Sequence, residues 1–279
     1  MLVNLQTVLQ MAEEGGYCIP AFNVYNMETV MGVLAAAEEM HAPIIMQIYP
    51  RLMKEETGYF LSPVVLAAAA RASVPVCFHL DHGPSELETT RSLRYGATGI
   101  MLDGSTLPFE ENIALTRRVV ETCSYLNVGV EGELGHVGTT KDEDMDEFTT
   151  PEDAKRFVEE TGVSCLAVAV GTAHGRYSKP PKLDIERIKA IREATNRTAL
   201  VLHGGSGVPD EEIRKAVAAG IRKMNFATDI CYAFLDCCLS ELQKPERVVA
   251  VDNFMKKPIL AVKEFCVSRI KLVGADGKA

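Results

Sequence analysis

The segment His79-Leu80-Asp81-His82-Gly83 puts two imidazoles and a carboxylate within four residues, at the end of an apolar run that begins at Val74. A carboxylate can carry a proton, and a neutral imidazole can hold a metal ion. Similar groups recur where other apolar runs stop. Asn23 stands near the end of "IPAFNV" (19–24), Asp103 closes "TGIMLD" (98–103), and His203 closes "ALVLH" (199–203). Glu131 and Glu133 lie in "VGVEGEL" (128–134), and His174 lies in "GTAHG" (171–175). Three imidazoles from separate strands suit zinc and leave one coordination position for substrate. Of the six histidines, His41 ends a helix-like stretch before Ala42-Pro43 and reads as a surface residue. His136 reads as a solvated or lid-like residue. His79 shares the strand face of Asp81 and reads as a core or supporting histidine. His82, His174 and His203 remain as ligands for one catalytic zinc.

A second chemistry is written in "HGGSG" (203–207) and "NFAT" (225–228). Glycines at Gly204 and Gly205 let backbone amides approach an anion, and Val208-Pro209-Asp210 opens a helix behind them. Metal and phosphate sites on one rim suggest a phosphorylated ketone as substrate.

These groups need a scaffold that gathers strand ends. Eight apolar segments (19–24, 43–49, 74–80, 98–103, 128–134, 165–170, 199–203 and 223–227) alternate with helix-like stretches. Those stretches run over 28–40, 63–72, 85–95, 109–126, 151–160, 183–195 and 210–219. Parallel strands need crossovers, so the alternation predicts an α/β fold. Eight units in about 250 residues predict a (β/α)8 TIM barrel with its site at the carboxyl ends of the strands. We expect one domain over 1–279 with a C-terminal helical extension. A doubly wound sheet would carry a Gly-rich dinucleotide turn after its first strand; here Asn23-Val24-Tyr25-Asn26 follows.

The composition narrows the function. The chain of 279 residues is 47% apolar and 24% charged with a net charge of −9. No basic run suggests a nucleic-acid track. No segment has the length of a membrane span, and no signal peptide is recognisable. The eight cysteines show no paired metal spacing. Reduced, buried thiols in a cytoplasmic protein are expected.

Taken in order, "GGYCIPAFNVYNMET", "HLDHG", "ELG", "LAVAVGTAHG", "LVLHGGSG" and "KMNFATD" resemble the class II, zinc-dependent ketose-bisphosphate aldolases, in particular their tagatose-bisphosphate-like branch. The resemblance implies an aldehyde-lyase releasing dihydroxyacetone phosphate. It implies zinc on His82, His174 and His203, and Asp81 as the acid/base at the cleaved bond. Asp103 and Glu133 match positions that hold a second or displaced divalent ion, and a monovalent cation is a further candidate. Asn23, Gly175, Gly204, Gly205, Ser206, Asn225, Phe226, Ala227 and Thr228 match the substrate-binding surface. A homodimer or homotetramer, with or without a companion subunit, is the implied assembly.

The chain departs from the pattern at two places. After "ELG", relatives carry a glutamate that abstracts a proton from dihydroxyacetone phosphate; Lys141 takes its position here, with Asp142 and Glu143 beside it. Fructose-bisphosphate-cleaving relatives tend to read Asn-x-Asp where this chain reads Asn225-Phe226-Ala227, and Cys231 stands where some place a cation. Tagatose 1,6-bisphosphate is therefore the expected substrate; fructose 1,6-bisphosphate or another ketose 1-phosphate is the alternative. A metal-dependent hydrolase and a non-catalytic barrel subunit are the competing classes. The first lacks its His-x-His in "AFNVYN", and intact Asp81 and histidines argue against the second.

Overall fold

The structure is a computed structural model that describes residues 1–135, 148–173, 175, 177, 180–245 and 250–279. Its strands are β1 (Leu2–Val3), β2 (Ile19–Asn23), β3 (Ile44–Ile48), β4 (Val76–Gly83), β5 (Gly99–Leu102), β6 (Gly129–Leu134), β7 (Cys165–Val168), β8 (Ala199–Leu202) and β9 (Ile221–Phe226). The helices are α1 (Leu5–Gly15), α2 (Met27–Met40), α3 (Pro50–Lys54), α4 (Glu56–Arg71), α5 (Glu86–Arg94), α6 (Phe109–Ser124), α7 (Pro151–Thr161), α8 (Ile185–Ala194), α9 (Asp210–Ala219), α10 (Thr228–Leu242) and α11 (Val251–Leu272).

Strands β2 to β9 pair in parallel in the order β4-β3-β2-β9-β8-β7-β6-β5, and β4 pairs with β5 to close the ring. This is the expected (β/α)8 barrel with a C-terminal helix. Short β1 adds to the start of β4, matching Leu2 with Val76. Below the barrel, α1 packs against β2, β4, β5, β6 and β9. Its buried residues Leu5, Val8, Leu9 and Ala12 recur every three to four positions and face that end.

The helices start where their caps allow. Asn26 and Thr29 form a reciprocal capping box on α2, and Ser85 accepts from the Glu88 amide at the start of α5. The expected 63–72 helix is a correction: α4 begins at Glu56 and carries Pro63 inside it. Proline removes the bond to the Tyr59 carbonyl, but Tyr59 and Phe60 are exposed, so water can reach that turn.

Candidate active site

Successive side chains on a strand point to opposite faces, so Asp81 and His82 should diverge. They do not, because β4 is irregular. Its register against β5 shifts between Leu80 and Gly83, and His82 has φ of 47°. That left-handed backbone is uncommon for a residue with a side chain, and bulges of this kind re-aim a side chain. Asp81 and His82 thus reach the same rim.

Asp81 is buried and gripped at both oxygens. Asn23 Nδ2 donates to Oδ2 at 2.8 Å, and Asn225 Nδ2 donates to Oδ1 at 3.0 Å. Each amide is itself oriented by a donor: Gln47 Nε2 on Asn23 Oδ1 at 2.8 Å, and Lys223 Nζ on Asn225 Oδ1 at 2.7 Å. The carboxylate is fixed in place before any substrate arrives.

His82 Nε2 and His203 Nδ1 face each other at 2.8 Å. The outer nitrogens of both rings go to carboxylates: His82 Nδ1 to Asp103 Oδ2 at 2.8 Å, His203 Nε2 to Glu131 Oε1 at 2.8 Å. Glu133 Oε2 stands 3.7 Å from His82 and 3.8 Å from His203. Asp103 is held by the Ser105 amide and hydroxyl. Burial alone would depress the His82 imidazolium, but Asp81, Asp103 and Glu133 outweigh it and push it up to about 10. The same partnership holds Asp103 well below the usual carboxylate range, against the effect of its own burial. The cluster is built to surround positive charge.

A divalent ion fits these residues. Asp81, His82 and His203 offer ligand atoms within 4.8 Å of one another, as do His82, Asp103 and Glu133. Imidazoles whose outer nitrogens are tied to carboxylates are the usual supporting arrangement for metal-binding histidines. His174 lies outside the described residues, as do His136, Lys141, Asp142 and Glu143.

Beneath the histidines lies a fully buried group that the sequence does not expose. Glu131 Oε2 meets Lys223 Nζ at 2.8 Å and stands 3.5 Å from His79 Nε2. Burial, reinforced by Lys223, pulls the His79 imidazolium down to about 3, so this ring is neutral. His79 is a core histidine, one of the readings left open for it. The sequence marks Glu131 among the polar groups at the strand ends but gives no role to Lys223 or Gln47; alternation turns all three inward, and only barrel closure sets Lys223 against Glu131.

A cleft of about 230 Å³ opens above Asp81 and His82. One wall carries Gly175, Gly204, Gly205, Ser206, Asn225, Ala227 and Thr228, and the other carries Asn23, Tyr25, Tyr49 and Arg51. Gly204 has φ of 64°, and a side chain there would meet the Ala173 carbonyl at 2.5 Å. Ser206 Oγ accepts from the Asp229 amide at 3.3 Å, at the first turn of α10. Backbone amides at a helix start favour an anion. Tyr177, which sequence reasoning also missed, ties this wall together: its hydroxyl donates to either the Ala173 or the Gly204 carbonyl, which lie 2.7 and 3.0 Å away. Phe226 is a correction, since strand alternation turns it outward. It is fully buried against Phe22 at 5.8 Å and Phe265 at 6.3 Å between ring centres.

The model of the class II fructose-bisphosphate aldolase family matches residues 3–278. The YdjI aldolase from Escherichia coli K12 is 36% identical, with a TM-score of 0.90 and 100% of both chains covered. A protein from Coccidioides immitis, provisionally described as a fructose-1,6-biphosphate aldolase, is 28% identical with a TM-score of 0.87, covering 99% of this chain and 97% of that one. The fructose-bisphosphate aldolase of Campylobacter jejuni is 23% identical and shares the fold, with a TM-score of 0.83 over 100% of this chain and 97% of that one. The chain belongs to the class II fructose-bisphosphate aldolase family and is a carbon–carbon lyase.

Proposed function

We propose that this enzyme is a zinc-dependent aldolase that reversibly cleaves a ketose phosphate of the tagatose 1,6-bisphosphate type into dihydroxyacetone phosphate and an aldehyde. The observation that carries the reading is the placement of Asp81. An immobilised carboxylate stands beside the facing His82 and His203 nitrogens, under a cleft with a glycine-rich helix start on one wall. Family membership supports a divalent metal and a phosphorylated sugar.

Asp81 takes the proton from the C4 hydroxyl during cleavage and returns it to the aldehyde oxygen during condensation. Asn23 and Asn225 keep its oxygens aimed while the proton moves. His82 and His203, together with His174, would hold the zinc. Bound there, zinc supplies polarisation of the ketone and stabilisation of the charge left on C3. Asp103 and Glu133 flank His82 and form the station for a second or displaced ion. Amides at Gly204 and Gly205, with Ser206 and Thr228, bind the phosphate as a remote handle. Glu143 is the proposed base for enolising dihydroxyacetone phosphate.

Ala227, Tyr49 and Arg51 support the choice of substrate. Among the described residues lining the cleft Arg51 is the only arginine or lysine, and the position two after Asn225 is Ala227 and not an aspartate. We expect residues 1–279 to act as one domain in a cytoplasmic homodimer or homotetramer. Eight free cysteines and the exposed Leu235, Leu239 and Leu242 of α10 are consistent with that. Among the described residues no helix is long and apolar enough to cross a membrane.

The test is kcat/KM for tagatose 1,6-bisphosphate, fructose 1,6-bisphosphate and a ketose 1-phosphate, measured side by side. The tagatose form or the monophosphate should lead. A tenfold lead for fructose 1,6-bisphosphate, about 1.4 kcal/mol of transition-state preference, would overturn this assignment of the substrate.

A further inference from the structure

Lys223 is a fully buried cation that the reaction outlined above does not use. It sits on β9 with its ammonium between two acceptors, Glu131 Oε2 at 2.8 Å and Asn225 Oδ1 at 2.7 Å. An ammonium has only donors, so whatever it faces must accept.

That constraint passes outward along two branches. On one, the Asn225 amide must turn its oxygen to Lys223, which leaves Nδ2 to donate to Asp81 Oδ1. On the other, the second oxygen of Glu131 lies 2.8 Å from His203 Nε2. A carboxylate ion-paired to Lys223 only accepts, so Nε2 carries the proton and Nδ1 keeps its lone pair toward His82. The contact of Asn225 Nδ2 with His203 Nε2 is longer, at 3.3 Å, and the nearer carboxylate decides the tautomer. We propose that Lys223 is a positioning residue for both halves of the reaction, aiming the Asp81 carboxylate through Asn225 and setting the His203 tautomer through Glu131. The inference rests on the roles given above to Asp81 and His203.

A purely structural ion pair is a poor account of this arrangement. Replacing a buried pair by apolar side chains of similar volume is often neutral or stabilising. On the opposite side of Asp81, neutral Gln47 orients Asn23. A cation is used only on the branch that also holds Glu131 beside a metal-binding ring. Both branches diverge from one ammonium.

The experiment compares wild type, Lys223→Met and Lys223→Met/Glu131→Gln. Zinc affinity is read by competition with a chelator, folding by thermal melting, and kcat and KM by aldol cleavage. In Lys223→Met, zinc affinity and kcat should each fall about 10–100-fold, the usual effect of losing support behind a metal ligand, while KM changes less than about twofold. The double variant removes both buried charges and should regain the melting temperature of wild type. Its kcat should stay at least about tenfold low, because nothing orients Asn225. Recovery of zinc affinity and kcat together with melting temperature would overturn the proposal. If a variant does not fold, nitrogen-15 spectra of the metal-free wild-type imidazoles decide, with His203 assigned by its loss in His203→Asn. Protonation at Nε2 is expected, and protonation at Nδ1 overturns the inference. A wild type that neither holds zinc nor cleaves a ketose phosphate would instead overturn the functional reading.

Discussion

At the amino end of the barrel, α1 lays Leu5, Val8, Leu9 and Ala12 across the strand starts. Glu13 there ion-pairs with Arg192 and Arg222. At the carboxyl end, Asp81, His82, Asp103, Glu131, Glu133 and His203 crowd together, and one buried lysine, Lys223, pairs with Glu131. Both ends gather ionic groups, but with different consequences. The lower cluster pairs a carboxylate with two guanidinium groups and ties α1 to α8 and β9. The upper one leaves an excess of carboxylates around two imidazoles, an arrangement that asks for a cation. Function and stability should therefore separate along the barrel axis, as is general for this fold.

The largest effect that tests this contrast is at His203. His203→Ala should abolish zinc retention and bring cleavage to background, while the protein still melts cooperatively. Chelation of wild type should do the same, reversibly. Metal analysis of the purified variant alongside initial rates checks it, and full turnover in a metal-free preparation would break the contrast at once. His41, exposed at the end of α2, serves as the control: His41→Ala should leave metal and rate unchanged.

Next is Asp81. Asp81→Asn retains shape and both amide neighbours but cannot exchange the proton. It should fold, keep zinc and lose about 10²–10⁴ in kcat, the usual worth of a positioned acid/base. Near-normal cleavage by this variant would move the proton transfer to another group.

The lower end predicts the reverse pattern. Leu5 is fully buried in α1, so Leu5→Ala should cost about 2–5 kcal/mol of stability through lost contacts and a cavity. Per folded molecule at 25 °C, its kcat/KM should match wild type. Denaturation midpoints and active-site-normalised rates test the pair of statements. A large loss of activity without a loss of stability would show that the two ends are coupled.

The sequence made one end far more legible than the other. The rim was readable because Asp81, His82, Asp103 and His203 each interrupt or end an apolar run, and the barrel rule then gathers strand ends. The alternation of eight strand-like segments with helix-like stretches predicted the barrel. Glu131 was readable as a polar strand residue, but its pairing with Lys223 was not, since Lys223 looks like one polar residue at the start of a strand. Their meaning depends on a contact across the closed barrel. The shared direction of Asp81 and His82 was hidden too, because a bulge and a left-handed residue override alternation. Phe226 failed for the opposite reason: alternation was intact there and turned it outward. At the lower end, nothing in "LQTVLQMAEEG" (5–15) announces that Glu13 will meet residues 179 and 209 positions away.

The smallest predicted effect lies in that cluster and concerns pH. Burial raises the Glu13 carboxyl, but hydrogen bonds and charge from Arg192 and Arg222 outweigh it and bring it below its usual 4.5. Burial also lowers Arg192. That opposing shift does not matter in acid, where the guanidinium stays charged, so the carboxylate governs the pair. Because the folded-state value is depressed, the stabilisation is fully present above about pH 4.5 and is lost as pH falls through the lower folded value. The Glu13 side chain is 34% exposed, so screening limits the pair to roughly 1 kcal/mol. Glu13→Gln should therefore be less stable than wild type by about that much at pH 7. The difference should shrink toward zero as both proteins are titrated below pH 4.5. Urea unfolding of both proteins across that range measures it, with cleavage at pH 7 expected to be equal. A stability gap that persists in acid would mean that Glu13 acts through packing and not through its charge.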